Sequence, residues 1–411
     1  MLSYNHEKYI RDALNSILNQ KTNFGFEILV HDDASIDGSQ EIIKDYASRY
    51  PRIVKPILQS VNQYSQKIYP SVHFNYPRAN LPFMAICEGD DFWTNENKLK
   101  VQIDGLRNNP AINLSFHSAI FSDHQNEETP ERIFGDYRTD DSIIPFSDIM
   151  LRPRGWIPTA SCIVRKSAKD QFLNFLRSNN SYLTVGDIYL QFFGGLPNGA
   201  LYYAKPMAFY RYSTAQSWTR KTHNNPEFKA THEVAMIRSY LELNRITQDA
   251  YRSNFKILEL QRLLWLFDGK SSTETNPVAA RLEPLYATCE SHIEKTLQEI
   301  AGLQKNCVIF GCASGCQRIL NALPSEQTLA IVDRDNLRSG ENIRGKPVIG
   351  PKDLGRYRDC ALIVSTIGSD REAISQLAQD SGIPETDVYY LFDEALAFLE
   401  KQTIIQEIFN E

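Results

Sequence analysis

The chain has 411 residues, 42 % of them apolar, with 44 basic against 50 acidic side chains and a formal net charge of −6. That length exceeds one ordinary core and predicts two or three domains, while the mildly acidic balance excludes a whole-domain basic footprint for nucleic acid. No apolar run reaches the roughly 18 residues of a membrane-spanning helix and no basic-then-apolar leader is visible. The seven cysteines form no metal-type pair of pairs, so a cytosolic, reducing setting is expected, with peripheral contact to the membrane's inner face left open.

The first 220 residues alternate strand and helix signals. "YIRDALNSILN" sets Ile10, Ala13, Leu14, Ile17 and Leu18 on one helical stripe, and "FEILVH" is a short apolar run ending in acid. "SQEIIKDYASRY" is helical again, "IVKPIL" and "LPFMAIC" read as strands, a helix ends before Pro110, and "INLSFHSA" is strand-like. This βαβα order predicts an α/β domain with a mostly parallel sheet, whose ligands sit outside the carboxyl ends of the strands. Asp32-Asp33 and Asp90-Asp91 fall at such ends. Residues 123–155 are polar and irregular and read as a surface loop or lid. Residues 221–304 read as a helical linker, residues 305–400 as a second, smaller Rossmann-like α/β domain, and residues 401–411 as a C-terminal tail.

Adjacent carboxylates at a buried strand tip repel unless protons or a cation compensate them. Asp90-Asp91 therefore reads as a site for Mn²⁺ or Mg²⁺, which take oxygen ligands and neutralise a diphosphate, against the plainer reading of solvated or helix-capping acids.

"SYNHEKYIRDALNSILNQKTNFGFEILVHDDASIDGSQEII", followed by "AICEGDDFWTNENKLKVQIDGL", resembles the bacterial inverting glycosyltransferases of family 2, with the A-type nucleotide-diphospho-sugar fold over about residues 2–220. The resemblance implies that Tyr4 and Asp33 hold nucleobase and ribose. It also implies that Asp90 and Asp91 bind donor and metal, with Asp91 the first choice as direct ligand, and that Asp187 in "GDIYLQFF" takes the acceptor proton. "GWIPTASCIVRK" resembles the acceptor-side strand, and "FYRYSTAQSW" the late segment in which Arg211 would face the diphosphate and Ser213 stands where relatives often carry histidine. Trp156 and Trp218 suit either sugar stacking or packing. The implied partners are a nucleoside-diphosphate sugar and a saccharide or lipid-linked acceptor in cell-surface polysaccharide synthesis, with homo-oligomerisation open. Relatives place a full central strand before the "SYN" turn. About 8–12 further residues are expected there, since losing a central strand strands backbone groups on two neighbours. The alternative function is accordingly a non-catalytic nucleotide-sugar-binding or assembly protein.

In "VIFGCASGCQRIL" Gly311 and Gly315 follow a strand, and Asp333 lies 22 residues past Gly311 at the tip of the next one. Such glycines permit close approach to phosphate and such an acid meets a ribose. Ala313 stands at the middle glycine of a dinucleotide fingerprint, so a second nucleotide site and a structural, oligomerising or regulatory unit both remain open. The segment through "VDRDNLRSGENIRGKPVIGPKDL" resembles the small Rossmann-like or CoA-binding-type domains appended to sugar-processing enzymes.

Overall fold

Short apolar runs and amphipathic stretches settle into two units, Met1–Asn225 and Pro226–Glu411. The structure, a computed structural model, describes residues 1–123, 132–153, 155–178, 186–212, 225–267, 276–312, 314–333, 338–368 and 370–410.

The first unit begins β1 (Leu2–Ser3), α1 (Ile10–Leu18), β2 (Ile28–Asp32), α2 (Ser39–Arg49) and β3 (Val54–Leu58). Ile10, Ala13, Leu14 and Ile17 of α1 are buried, as are Ile42, Ile43 and Tyr46 of α2, so the apolar stripe of each helix covers the sheet. The three strands pair in parallel, with Leu2 opposite His31 and Ile28–Asp32 opposite Val54–Leu58. β1 is two residues long. Near it lies a cavity of about 220 Å³ whose lining includes Phe26 and Ile28 on the β2 side and Met84 and Ile86 on the other.

There follow β4 (Phe83–Ala85), β5 (Phe92–Trp93), α3 (Lys98–Asn108), β6 (Leu114–His117), β7 (Ala119–Asp123), β8 (Arg132–Phe134), β9 (Ser142–Ile144), α4 (Phe146–Leu151), β10 (Ile163–Arg165), α5 (Lys166–Ser178), α6 (Gly186–Gly195), β11 (Ala200–Tyr203) and β12 (Ala208–Tyr212). They form two sheets, ordered β4-β10-β6-β11-β9 and β5-β12-β7-β8. The expectation of a mostly parallel sheet needs correction here. β10 runs antiparallel to both β4 and β6, and β5, β8 and β9 also pair antiparallel. Antiparallel neighbours need no helical crossover, so short strands returning from the 123–155 stretch can join directly. That stretch, expected as a loop, contains β8, β9 and α4; its residues 124–131 and 154 lie outside the described ones.

The second unit opens with three helices, α7 (Pro226–Ile246), α8 (Arg252–Leu266) and α9 (Pro277–Ala301). α9 starts where the Asn276 side chain accepts the N–H groups of Val278 and Ala279, with Pro277 at the first helical position. The rest is β13 (Cys307–Phe310), α10 (Ser314–Ala322), β14 (Thr328–Val332), β15 (Asn342–Ile343), β16 (Lys346–Ile349), β17 (Ala361–Val364), α11 (Arg371–Asp380), β18 (Val388–Tyr390), α12 (Asp393–Glu400) and α13 (Ile404–Asn410). The sheet order is β15-β16-β14-β13-β17-β18, parallel throughout except for β15. Ile237, Leu263, Ile293 and Ile300 of the three helices share one core with Ile309, Ile331 and Ile363 of the sheet and Ile405 of α13. The stretch read as a linker and the stretch read as a tail are thus both packed parts of this unit. Among the described residues, no helix is long and apolar enough to cross a membrane.

Candidate active site

The first two sequence landmarks interlock. The Asn5 N–H donates to Ser35 Oγ (2.8 Å), the Ile36 N–H to Asn5 Oδ1 (2.9 Å), the His6 N–H to Ser39 Oγ (2.9 Å), and the Gly38 N–H to Glu7 Oε2 (3.1 Å). Asn5 and Ala34 both take left-handed backbone (φ 57° and 62°), a strain that the interlock holds in place. At the end of β2, Asp32 accepts from the Ser35 N–H, the Ser35 hydroxyl and Gln40 Nε2. Asp33 accepts the Gln63 N–H on one oxygen (2.8 Å) and the Tyr64 N–H on the other (3.0 Å), tying the 62–66 turn to the strand tip. Tyr4 is half-buried in the same N-terminal turn.

The second acidic turn, Glu88 to Asp91, differs. The Gly89 N–H donates to Leu2 O (2.8 Å), and a Cβ at Gly89 would lie 2.8 Å from that oxygen and 2.7 Å from His6 Nδ1, so only glycine fits. Asp91 is 1 % exposed. Its Oδ1 accepts the Arg211 N–H (3.0 Å), while its Oδ2 is buried with no hydrogen-bond partner among the described residues. Burial, then the charges of Asp90 and Glu88, raise the Asp91 carboxyl well above the usual range. Glu88 is pushed up to about 8 by burial and by Asp90 and Asp187. The Asp90 side chain remains 20 % exposed, with Oδ2 3.8 Å from His6 Nε2.

Asp187 is half-buried in the first turn of α6; its Oδ2 accepts from the Thr159 hydroxyl (3.0 Å) and its Oδ1 from the Ile188 N–H (2.9 Å). Behind burial as the main cause, the charge of this acid, almost a hundred residues away in sequence, adds to the rise of the Glu88 carboxyl and of the half-buried Tyr76 phenol. The Arg211 guanidinium donates to Asp90 O (2.7 Å) and to Asp12 Oδ2 (2.7 Å), and the residue is 8 % exposed. Trp156 is 41 % exposed under the Arg152 guanidinium, whereas Ser213 and Trp218 lie outside the described residues. Sequence reasoning missed His6, Asp12, Glu88 and Thr159. Only Glu88 carried a signal, as an acid one residue from a turn glycine.

Among the described residues, no three His, Cys, Asp or Glu side chains form a ready-made metal cage. The buried, unpartnered Asp91 Oδ2 and the raised Glu88 nevertheless fit a cation that takes one or two carboxylates and completes its shell with donor oxygens and water.

In the second unit Gly311 has φ 100° and its missing Cβ would lie 2.5 Å from Thr366 Cγ2, while one on Gly315 would lie 2.0 Å from Ser365 O. Both glycines are therefore required by packing near β17. Asp333 sits at the end of β14 near Cys312, whose thiol is pushed up to about 12 by burial and that carboxylate. Ala313 lies outside the described residues.

Residues 1–165 match the family model described as "Glycosyl transferase family 2", and this region is a family-2 glycosyltransferase-like domain. An uncharacterized protein of Mycobacterium tuberculosis is 40 % identical over 120 residues, 28 % of this chain and 33 % of that protein, so the chain spans about a third of that relative's length. The dTDP-rhamnosyl transferase RfbG of Shigella flexneri is 24 % identical over 257 residues, covering 61 % of this chain and 83 % of RfbG. Staphylococcus aureus TarS (residues 1–349, in complex with UDP) is a distant structural match, with TM-score 0.44 and 17 % identity over 66 % of this chain and 71 % of that one.

Proposed function

We propose that the chain transfers a sugar from a nucleoside-diphosphate sugar to a hydroxyl of a saccharide or lipid-linked acceptor, with inversion, in bacterial cell-surface polysaccharide synthesis on the cytoplasmic side. The observation that carries this reading is the acidic turn of Glu88, Asp90 and the buried Asp91, one oxygen of which has no hydrogen-bond partner among the described residues. The interlocked turns that carry Tyr4 and Asp33 flank the nucleoside side.

Asp187 is the general base. Thr159 and the Ile188 N–H orient its carboxylate toward the acceptor. In a single displacement the acceptor oxygen bonds to the anomeric carbon, its proton passes to Asp187, and the bond to the diphosphate breaks with its electron pair on the leaving nucleoside diphosphate. Asp90, the more exposed of the adjacent acids, and Asp91 are the residues that would hold Mn²⁺ or Mg²⁺. That ion, when bound, supplies charge neutralisation to the diphosphate.

Nucleoside-diphosphate release from a panel of nucleotide sugars, with Mn²⁺ and candidate saccharide acceptors, tests this. Turnover is expected with one donor class, falling about 10²–10⁴-fold in Asp187→Asn while donor binding survives. A folded protein that neither binds nor turns over any donor would overturn the reading.

A further inference from the structure

The strongest feature left over is the environment of Arg211. Its side chain carries out three tasks at once: Nη1 donates to Asp90 O (2.7 Å), Nη2 to Asp12 Oδ2 (2.7 Å), and the guanidinium carbon lies 4.7 Å from the Phe92 ring centroid and 5.1 Å from that of Tyr9. Its backbone N–H meanwhile donates to Asp91 Oδ1 (3.0 Å). Two of its five N–H groups are thus engaged and the residue is 8 % exposed, so the guanidinium is already held in place on the turn side.

We infer that Arg211 and Asp12 form a positioning pair that fixes the Asp90-Asp91 turn, and that Arg211 is not a donor ligand. Resting on the functional reading above, the inference assigns the pair to cation affinity. Holding the Asp90 carbonyl and one oxygen of Asp91 fixes the turn with Asp91 Oδ2 as its carboxylate oxygen without a hydrogen-bond partner among the described residues. Asp12 lies in the first turn of α1, the helix that follows in sequence the N-terminal turn bonded to Ile36 and Ser39. The pair therefore ties the nucleoside side of the site to its acidic turn, across 199 residues of sequence. Partners one step behind metal ligands commonly set affinity by about 10–100-fold.

The test uses the full chain and four proteins: wild type, Asp12→Asn, Arg211→Lys and the double variant. Mn²⁺ binding with UDP, GDP, CDP or dTDP is followed by electron paramagnetic resonance, and binding of the same nucleotides without metal by calorimetry. The expected result is Mn²⁺ binding weakened about 10-fold by Asp12→Asn and up to about 100-fold by Arg211→Lys, with the double variant no weaker than Arg211→Lys and metal-free nucleotide binding unchanged. Weakened metal-free nucleotide binding in Arg211→Lys, with Asp12→Asn silent, would overturn the inference in favour of a direct diphosphate contact. Fully additive losses would overturn the pairing. Wild-type protein that binds no Mn²⁺ with any nucleotide would remove the functional reading, and this inference with it.

Discussion

Two pairs of adjacent aspartates close two strand-end turns of the same unit, and the fold treats them in opposite ways. Every carboxylate oxygen of Asp32 and Asp33 accepts at least one hydrogen bond, from Ser35, Gln40, Gln63 or Tyr64. Asp91 is just as buried, but one of its oxygens has no partner among the described residues, and it stands beside Asp90 and Glu88, which raise its carboxyl further. A satisfied buried carboxylate organises backbone, whereas an unsatisfied one beside like charges costs stability that a ligand can recover. Burial alone does not separate the two cases; the hydrogen-bond inventory does.

Substitution in each turn is the sharpest way to break this contrast. Asp90→Asn is expected to lower sugar transfer by about 10²-fold or more with no loss of stability. Asp32→Asn turns a donor toward the donors of Ser35 and should destabilise the fold by about 1–3 kcal/mol while the remaining folded protein keeps its turnover. Activity assays and urea unfolding of the two variants side by side check this, and exchanged phenotypes would refute the contrast.

Lys98 sharpens the same rule at a smaller scale. Its amine is fully buried without a hydrogen-bond partner among the described residues, 4.3 Å from the Trp93 ring centroid, and burial pushes it down from 10.5 to about 7. The unfolded chain then holds more protons than the native one between about pH 7 and 10.5, so this group's cost is full below pH 7 and fades as pH rises through that window. Lys98→Met is expected to flatten that rise and to add on the order of 1–4 kcal/mol near neutral pH, with turnover unchanged. Urea midpoints at pH 6.5, 8 and 9.5 measure it. A loss of transfer without loss of fold would mean that this orphan charge also serves the site.

Much of the fold was legible because local rules agreed with the tertiary outcome. The stripe on α1, the run that became β2, and the alternation from β13 to β18 all follow the expected periods. Strands of three residues such as β8 and β9 carry too little periodicity to stand out among Asp, Arg and Pro, so their stretch read as a loop. The stripe of Cys289, Ile293 and Ile300 on α9 announces a buried face but not what covers it, which is why a packed helix read as a linker. In the site, both acidic turns were visible as patterns. The Thr159–Asp187 and Asp12–Arg211 contacts join residues 28 and 199 positions apart, and no local spacing encodes them. Gly311 and Gly315 suggested phosphate, yet the packing near β17 already demands them.

The most direct test of the account is thermal unfolding of wild type and Asp90→Asn with Mn²⁺ and each nucleoside diphosphate in turn, since a ligand held by the native state raises the melting temperature by mass action. The account predicts a concentration-dependent rise with one nucleotide in the wild type, made larger by Mn²⁺, with that Mn²⁺-dependent increment lost in Asp90→Asn. An equal rise in both proteins, or none with any nucleotide, would contradict it.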